Sequence, residues 1–535
     1  MVPIAVCDAD RVFKVETPAD LVIEQLAFAT YIDPGANVGT WNRIVNFPAD
    51  KMSIVVANVV NGPDSAANEG WTNVIPRAAA SGKVVLGYVR TGYLGVSWQH
   101  FTTRLGSSKT SDWVAQIQQD VAQWYRLYPD IGGIFFDEGW NDCGEQNVNA
   151  ELYKFITQQT KRKYGGYTVL NPGAPMPQCF EHSADTLLTA EISYATYTSD
   201  AYAPCDWKPK DSRKLWHIVY DVPEDQVASV AALARQRGAG LLHITDDVEP
   251  NPYDSIPDDS YMQTTMAAVA GGKPFNEGLF PYPGGSAASP PASFDLDSWD
   301  YSSATVSWST SANAIGYVIS QNGDSILNLT PEMTTVTIGG LEPGTRYTLT
   351  IVALNGDGSA SAAGPAIVLT TRALPGEGHT ISSTSVSAGA SQTIYKAEIL
   401  VPYAFVRVFI WDTACNDDPT SVPDSLYFNH WKAWPITYAQ KGDHVCNVYM
   451  IEGGYLYHYA DSDTFQVNAQ WRWTQLAEAP LVQDGYDYTW TAPIGTSSFN
   501  TTNYIIQVQG YGPMADVFQP CLEYMGGAPV TSYCA

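Results

Sequence analysis

The chain has 535 residues, a formal charge of -27 at pH 7 and 45% hydrophobic residues, so it is globular but too long for one hydrophobic core. This acidity excludes a nucleic-acid ligand, because neutralising phosphates requires clustered Lys and Arg. No apolar run approaches the roughly 20 residues of a membrane span, so we expect neither a nucleic-acid nor a membrane partner.

Eight near-continuous apolar runs precede residue 250, as expected for strands that are buried on both faces. They cover residues 26–32, 53–60, 83–90, 131–138, 167–171, 187–194, 214–221 and 240–246. Helical periodicity lies between several of them, most clearly at 111–128 and 223–237. This alternation predicts an α/β fold, a (β/α)8 barrel of the TIM type over residues 1–280. A doubly wound open sheet is the alternative, but no Gly-rich dinucleotide motif follows the first strand.

A Pro- and Gly-rich segment at residues 281–291 predicts a linker. After it, short alternating runs predict an all-β sandwich over residues 292–372. Trp308 and the corner at residues 341–347 resemble a fibronectin type III domain, which we expect to act as a spacer. The predicted strands are 304–308, 316–320, 335–338, 347–354 and 366–369.

The last region, residues 380–535, predicts a second β-sandwich, with strands at 395–401, 405–411 and 502–509. The chain is therefore multidomain, a barrel followed by two all-β sandwich domains. Aromatic residues in the last domain suit polysaccharide capture, or else they fill the core of a domain with few leucines. These residues are Trp431, Trp434, Tyr455, Tyr457, Trp471, Trp473 and Trp490.

The eight cysteines include no CxxC pair, which argues against a zinc or thioredoxin-like site. Two glycosylation sequons, at Asn328 and Asn500, are expected in surface loops. Together these features favour a secreted protein with disulfides. The opening residues lack the features of a signal peptide, so we expect the signal to be absent from this sequence. Candidate bridges are Cys415–Cys446 and Cys521–Cys534.

The fourth apolar run ends in two adjacent carboxylates, Asp137 and Glu138. They cap the following segment or belong to an active site, because barrel enzymes keep their chemistry at the carboxyl ends of the strands. Polar residues at the other strand ends, and aromatic residues that suit stacking on sugar rings, favour a sugar-binding site. The predicted substrate-binding residues are Tyr31, Asp33, Asn58, Asn61, Arg90, Tyr93, Trp140, Asn171, Tyr194, Asp221 and Asp246, with Glu191 as a further acid.

Residues 25–250 resemble the spherulin 4 family of glycoside hydrolases. The resemblance is carried by segments 31–35, 58–63, 86–93, 135–138 and 170–173 and by Glu191. It implies a secreted barrel enzyme that cleaves α-1,4-linked galactosamine and N-acetylgalactosamine units of galactosaminogalactan. It also implies that Asp137, Glu138 and Glu191 are the required acids. The chain departs from the family in Cys143, Cys179 and Cys205, which we expect in loops over the cleft.

Glycoside hydrolysis needs a carboxylic acid for the leaving oxygen and a second group that stabilises the oxocarbenium-like transition state. In the first of two mechanisms, Asp137 is the nucleophile, Glu191 is the acid and base, and Glu138 binds the amino sugar or tunes its neighbour. In the second, Asp137 orients the substrate's acetamide and Glu138 protonates the leaving group. Neighbouring residues on a strand face opposite ways, so we expect one of Asp137 and Glu138 inside the barrel and the other over its rim.

Other chemistries find no support, because no GxSxG, HExxH or Walker motif is present. His217 and His243 lie in apolar strands and are interpreted as core residues. We predict no metal and no cofactor, and we expect a monomer whose partner is a polysaccharide containing amino sugars. The alternative functions are a carbohydrate-binding protein without catalysis and an adhesion protein on a barrel scaffold.

Overall fold

The computed structural model describes residues 24–64, 66–99, 101–249, 251–375, 380–401, 405–412, 447–459, 473–495, 504–509, 522–524 and 531–533. Several predicted features lie outside these residues. They are the sequon at Asn500, Trp431, Trp434, Trp471 and the four cysteines of the candidate bridges, Cys415, Cys446, Cys521 and Cys534.

Eight parallel strands close into a barrel in chain order, as the apolar runs predict. Side chains alternate between an inward set that fills the barrel and an outward set that packs against the helices. The strands are β1 (Gln25–Ala29), β2 (Met52–Ala57), β3 (Val84–Arg90), β4 (Gly133–Asp137), β5 (Tyr167–Leu170), β6 (Thr186–Ser193), β7 (Leu215–Tyr220) and β8 (Leu241–Ile244).

Helices of nine or more residues follow six of the eight strands. The predicted helix at 111–128 is α3, whose Trp113, Ile117, Val121 and Trp124 are all buried, each large side chain stabilising the fold by about 1.5–3 kcal/mol. No helix among the described residues is long and apolar enough to cross a membrane. The helices are α1 (Val38–Asn46), α2 (Glu69–Ala80), α3 (Thr110–Leu127), α4 (Val148–Tyr164), α5 (Tyr194–Tyr197), α6 (Val227–Gln236) and α7 (Asp259–Ala268).

Two connections depart from the ideal barrel. Between β5 and β6 there is only a 3₁₀ turn, Gln178–Phe180, and between β6 and β7 the α-helix α5 has only four residues. Both connections are rich in Pro and Gly or in short polar residues, which favour turns over helix. The outer faces of β6 and β7 are therefore covered by irregular chain.

The next domain is a sandwich of a three-stranded and a four-stranded antiparallel sheet, ordered β13-β10-β9 and β12-β11-β14-β15. All five predicted strands are present. Strands β9 and β12 were not predicted, and the sequon at Asn328 lies in β12 rather than in a loop. The strands are β9 (Phe294–Trp299), β10 (Ala304–Trp308), β11 (Tyr317–Gln321), β12 (Asp324–Leu329), β13 (Thr335–Ile338), β14 (Arg346–Ala353) and β15 (Ala366–Thr370).

Helix α3 of the barrel pairs with the edge strands of both sheets of this sandwich. The Gln118 side chain donates to the Asn328 carbonyl at 2.6 Å and accepts from the Asn328 amide at 2.8 Å. Asp112 Oδ1 accepts from the Thr337 amide in β13 at 2.7 Å. Paired edges are protected from other strands. The sandwich is thus docked on the barrel through α3, and its role as a spacer stays a prediction.

The segment between the barrel and the sandwich has no regular structure, as its composition predicts, but it is packed. The buried Lys161 ammonium lies 2.6 Å from Asp185 and 3.0 Å from Asn276. The Arg162 guanidinium lies 3.8 Å from the centre of the Tyr282 ring, which is a cation–π contact. These contacts connect the segment to α4.

The described part of the last region is all-β, with sheets ordered β16-β17-β23-β22, β21-β20-β19-β18-β24 and β25-β26. Trp490 is buried and fills its core, whereas Tyr455 is 38% exposed, and polysaccharide capture by the exposed aromatic residues stays a prediction. The strands are β16 (Ile381–Ala388), β17 (Thr393–Ile399), β18 (Phe405–Asp412), β19 (Asn447–Glu452), β20 (Tyr455–Tyr459), β21 (Trp473–Glu478), β22 (Leu481–Asp484), β23 (Asp487–Ala492), β24 (Tyr504–Gln509), β25 (Leu522–Tyr524) and β26 (Thr531–Tyr533).

Candidate active site

Asp137 ends β4 on its inward face, two residues after the inward Phe135. Both of its carboxylate oxygens accept a hydrogen bond. Tyr88 Oη donates to Oδ2 at 2.5 Å, and Asn171 Nδ2, just beyond β5, donates to Oδ1 at 2.7 Å. Burial, followed by the charge of Glu191, raises the pKa of Asp137 to about 7. This carboxyl group can therefore hold a proton near neutral pH.

Glu191 reaches the same interior through an irregularity in β6. The inward residue before it is Leu188, and regular alternation would turn Ala190 inward and Glu191 outward. The register with β7 shifts between Leu188 and Ala190, so Ala190 packs outward and Glu191 turns inward. Tyr253 Oη donates to Oε1 at 2.5 Å. Burial raises the pKa of Glu191, and the bonds from Tyr253 and Asn171 oppose the rise.

One amide joins the two acids. Asn171 Nδ2 lies 2.7 Å from Asp137 Oδ1 and 3.2 Å from Glu191 Oε2, so these oxygens are separated by no more than the sum of the two distances, about 5.9 Å. The Gly173 amide donates to Asn171 Oδ1 at 2.7 Å. Because this bond requires an oxygen at that position, the nitrogen must face the acids. Asn171 is 5% exposed and rigidly placed.

Glu138 faces the rim instead, as alternation from Asp137 predicts. Its φ is 54°, the left-handed region that a residue with a side chain seldom adopts. Arg90 Nε donates to Glu138 Oε2 at 2.6 Å. Thr91 Oγ1 lies 2.8 Å and 2.9 Å from the carbonyl oxygens of Asp137 and Glu138, which stabilises this turn of the chain. Strain of this kind is concentrated at functional sites.

Tyr93 is presented by a left-handed turn after β3. Residues 92–95 all have positive φ, and a Cβ on Gly92 would lie 2.1 Å from the Trp113 ring, so only glycine fits there. Burial and the charges of Glu138 and Asp137 raise the pKa of Tyr93 to about 12. The ring centres of Tyr93 and Trp140 lie 6.2 Å apart in an edge-to-face arrangement. Two aromatic side chains therefore border the acids.

Tyr31 lies beside the two tyrosines that donate to the acid pair, Tyr88 and Tyr253. Its ring packs edge to face against Tyr88 and Tyr253, with ring centres 5.7 Å and 5.5 Å away. Burial and the charges of Asp137 and Glu191 raise its pKa well above the usual value, so the phenol stays protonated. Tyr31 is therefore a hydrogen-bond donor beside both acids.

The other predicted binding residues are not joined to the acid pair. Asp33 Oδ1 accepts from the Ala36 amide at 2.9 Å, and Asn58 Oδ1 accepts from the Gly62 amide at 3.3 Å, so both close local turns. Asn61, which has a φ of 52°, is the exposed partner of the Asn58 side chain. The remaining three, at the rim above β6, β7 and β8, are Tyr194, Asp221 and Asp246.

Cys143, Cys179 and Cys205 lie in the connections that follow β4, β5 and β6, as expected. Cys143 and Cys179 form a disulfide between the loops that follow β4 and β5. Cys205 lies in the loop after β6, where its Sγ accepts from the Met176 amide of the loop after β5 at 3.4 Å.

Two histidines predicted to be structural are buried in the barrel wall. His243 Nδ1 accepts from the Ala29 amide at 3.3 Å, and His217 Nδ1 lies 2.8 Å from Tyr197 Oη. Burial lowers the pKa of both to about 3. Within the described ranges, no group of three or more His, Cys, Asp or Glu side chains could hold a metal ion.

Four site residues were missed by the sequence analysis. Tyr88 was detectable, because it lies at an inward position of β3 by alternation from Leu86. Thr91 and Tyr153 support the backbone around Glu138, and Tyr153 Oη also accepts from the Trp140 amide at 2.9 Å. Tyr253 lies in an irregular loop after β8, where no local pattern marks it.

Comparison with known proteins separates the chain into two recognised parts. Residues 25–269 match the family described as Spherulation-specific family 4, and residues 289–368 match the fibronectin type III domain. Spherulin-4 of Physarum polycephalum is 25% identical over 233 residues, which are 42% of this chain and 63% of that protein. The chain thus spans less than two thirds of the length of this curated relative.

Two solved structures are similar to one part each. The crystal structure of Aspergillus clavatus Sph3 in complex with GalNAc aligns 46% of this chain with 98% of its own, at 21% identity and a TM-score of 0.36. The fibronectin type-III domain of human fibronectin type III domain containing protein 3 aligns 18% of this chain with 97% of its own, at 23% identity and a TM-score of 0.15.

Proposed function

We propose, from the premise that residues 25–269 form a spherulin 4 barrel followed by a fibronectin type III domain, that this protein is a secreted glycoside hydrolase. Its substrate is a polysaccharide of α-1,4-linked galactosamine and N-acetylgalactosamine units. The observation that carries the proposal is the pair of buried acids, Asp137 and Glu191, joined by Asn171. The disulfide between Cys143 and Cys179 supports secretion.

The separation of the acids supports a double displacement with retention. Retaining enzymes hold their two carboxyl groups about 5–5.5 Å apart, whereas inverting enzymes need about 6.5–9.5 Å to admit a water. The upper bound of about 5.9 Å between Asp137 Oδ1 and Glu191 Oε2 is closer to the first class. One acid attacks the anomeric carbon and the other protonates the leaving oxygen, then activates water.

Two assignments of these roles fit the pair. The sequence-based assignment makes Asp137 the nucleophile and Glu191 the acid and base. The reverse is favoured in the free enzyme by the pKa of Asp137, which the charge of Glu191 helps to raise to about 7. A group that holds its proton near neutral pH is suited to be the acid. Asp137 and Glu191 are close enough for their titrations to be coupled, so the apparent pKa values belong to the pair. The proton held near neutral pH is therefore assigned to the pair and not to one of the two carboxyl groups.

The surrounding residues would bind the sugar. The Arg90–Glu138 pair at the rim supplies a donor and an acceptor for an amino sugar, and it lies next to the mouth of the barrel. Tyr93 and Trp140 provide ring surfaces for a pyranose, and Tyr31 donates a hydrogen bond near the reacting bond. For a partly deacetylated polymer, the acids would also attract ammonium groups.

The proposal is tested by digestion of a panel of amino-sugar polymers, with the products identified by mass. We expect oligosaccharides from galactosaminogalactan and none from β-linked chitin. Glu191→Gln should release no product while still binding the polymer, because Tyr253 Oη can accept from the new amide. Glu69→Gln, at the exposed start of α2, is the matched control. Equal product release by Glu191→Gln and the wild type would refute the proposal.

Chemical rescue separates the two role assignments. Azide added to the alanine variant of the nucleophile should give a glycosyl azide of inverted configuration. Azide added to the alanine variant of the acid and base should give a retained glycosyl azide. Asp137→Ala and Glu191→Ala are therefore expected to give products of opposite configuration, and rescue with the same configuration in both would exclude the double displacement.

A further inference from the structure

The connection between β3 and α3 packs against two side chains at the rim of the acid pair. The Phe101 ring centre lies 5.4 Å from that of Tyr93, and the Arg90 guanidinium lies 5.1 Å from the Phe101 ring centre. The second contact is within the roughly 6 Å range of a cation–π interaction. Trp113 Nε1 of α3 donates to the Phe101 carbonyl at 3.4 Å. Phe101 therefore helps to fix the positions of Tyr93 and Arg90.

A tight turn follows Phe101 and attaches the chain to α3. The Thr103 amide donates to the Ser107 carbonyl at 2.8 Å, and the Ser107 amide donates to Thr103 Oγ1 at 3.2 Å. Arg104 Nη1, between them, donates to Asp120 Oδ1 of α3 at 2.7 Å. These bonds make the turn a compact unit, in which a shift at Ser107 is transmitted to Phe101.

One buried carboxylate joins this turn to the sandwich domain. Asp112 is 4% exposed, and each of its oxygens accepts a hydrogen bond. Ser107 Oγ donates to Oδ2 at 2.6 Å, and the Thr337 amide of β13 donates to Oδ1 at 2.7 Å. A buried carboxylate is costly unless its oxygens are paired, so this arrangement depends on both donors. The position of the turn is therefore coupled to that of β13.

A second contact lies at Gly339, directly after β13. Its carbonyl accepts from Gln119 Nε2 of α3 at 3.1 Å. A Cβ on Gly339 would lie 3.0 Å from Leu105 Cδ1, and its three nearest atoms all belong to the Leu105 side chain. Leu105, at the centre of the turn, thus packs directly on the backbone of the sandwich. A larger side chain at Gly339 would press first on the turn.

We propose that the sandwich domain positions the sugar-binding side chains at the rim of the barrel. These side chains are Arg90 and Tyr93, so the inference rests on the proposed function. The contacts run from β13 through Asp112 and Leu105 to Phe101. Holding binding side chains in place before the substrate arrives reduces the conformational entropy that is lost on binding.

The acid pair is held separately from the turn. Its hydrogen bonds come from Tyr88, Asn171 and Tyr253. A loss of positioning at the rim should therefore raise KM for the polymer and leave kcat almost unchanged. Asp112 is in this sense a positioning residue.

Gly339→Leu tests the proposal from the sandwich side, in the full chain. It should raise KM for an α-1,4-linked galactosamine oligosaccharide about fivefold, the value of one aromatic contact, and change kcat less than twofold. Leu105→Ala in the same chain should restore KM, because it makes room for the new side chain. Val368→Leu, at a position of β15 that is 54% exposed, is the control. An unchanged KM in Gly339→Leu, or an equal rise in Val368→Leu, would overturn the proposal.

Asp112→Ala tests the buried carboxylate and should raise KM by a similar factor. Asp112→Asn should behave as the wild type, because its oxygen can accept from the Thr337 amide and its nitrogen can donate to Ser107 Oγ. Asp297→Ala is the matched control, since Asp297 Oδ1 accepts from Ser307 Oγ at 2.8 Å within the sandwich. A fall in kcat with an unchanged KM in Asp112→Ala would contradict a positioning role.

Hydrogen exchange of residues 101–109, measured without substrate, separates this inference from the hydrolase proposal. Their amides should exchange about tenfold faster in Gly339→Leu and Asp112→Ala than in the wild type. Absence of hydrolysis by the wild type would refute only the hydrolase proposal. Unchanged exchange in both variants would overturn the positioning of the rim, whether or not the chain is a hydrolase.

Discussion

The two sides of the barrel mouth contain similar residues that do different things. Asn58 and Asn171 each follow the last outward residue of a strand, and each uses Oδ1 to accept from a glycine amide in the next turn. The Asn58 amide then meets Asn61, whereas the Asn171 amide meets Asp137 and Glu191. A polar residue at a strand end thus becomes part of a site only where neighbouring strands direct acids to the same point.

The largest expected difference is between two identical changes to aspartate. Asp137→Asn should lower kcat by about 10³-fold or more, because the variant loses an acid of the reacting pair. Asp33→Asn should change kcat less than twofold, since Asp33 only closes a turn. Rates of reducing-end release, with folding checked by circular dichroism, measure both. Comparable losses in the two variants would remove the distinction between the two sides.

The same comparison can be made with asparagine. Asn171→Ala removes the donor shared by both acids and should lower kcat by about 10²-fold, the cost of a preorganised donor at a reacting centre. Asn58→Ala removes only a turn contact and should leave kcat nearly unchanged. The ratio of the two kcat values sharpens the comparison, and a ratio near one would contradict it.

Tyr253→Phe should lower kcat/KM about tenfold and move the limb of its pH profile that Glu191 sets, acid or basic according to its role, to higher pH. The Tyr253 bond lowers the pKa of Glu191, so its removal raises that pKa and a higher pH is needed to ionise the group. Tyr194→Phe at the rim is the control. A loss of activity without movement of either limb would show that Tyr253 only packs.

The smallest expected effect is on stability. The folded state raises the pKa of Asp137 from 3.8 to about 7, so it takes up a proton that the unfolded chain lacks between these values. The free energy of unfolding therefore falls as pH rises through this window. Above pH 7, Asp137→Asn should be more stable than the wild type by about 1–3 kcal/mol, a gain that vanishes near pH 4. Urea unfolding at both pH values measures it, with Asp33→Asn as control.

Sequence patterns predicted the barrel, the strand that ends in Asp137 and the convergence of Asp137 with Asn171, because alternation and strand ends are local properties. The inward turn of Glu191 was reached through the family resemblance, since the register shift in β6 depends on pairing with β7. Tyr253 comes from a loop whose path is set by tertiary contacts. The docking of the sandwich on α3 was missed for the same reason, because Gln118 and Asn328 are far apart in sequence.

The configuration of the first product tests the central claim most directly. Proton NMR during cleavage of an α-1,4-linked galactosamine oligosaccharide can identify the anomer before it mutarotates. The close pairing of Asp137 and Glu191 predicts the α-anomer, formed with retention. Initial release of the β-anomer would require a water between widely separated acids and would contradict the account.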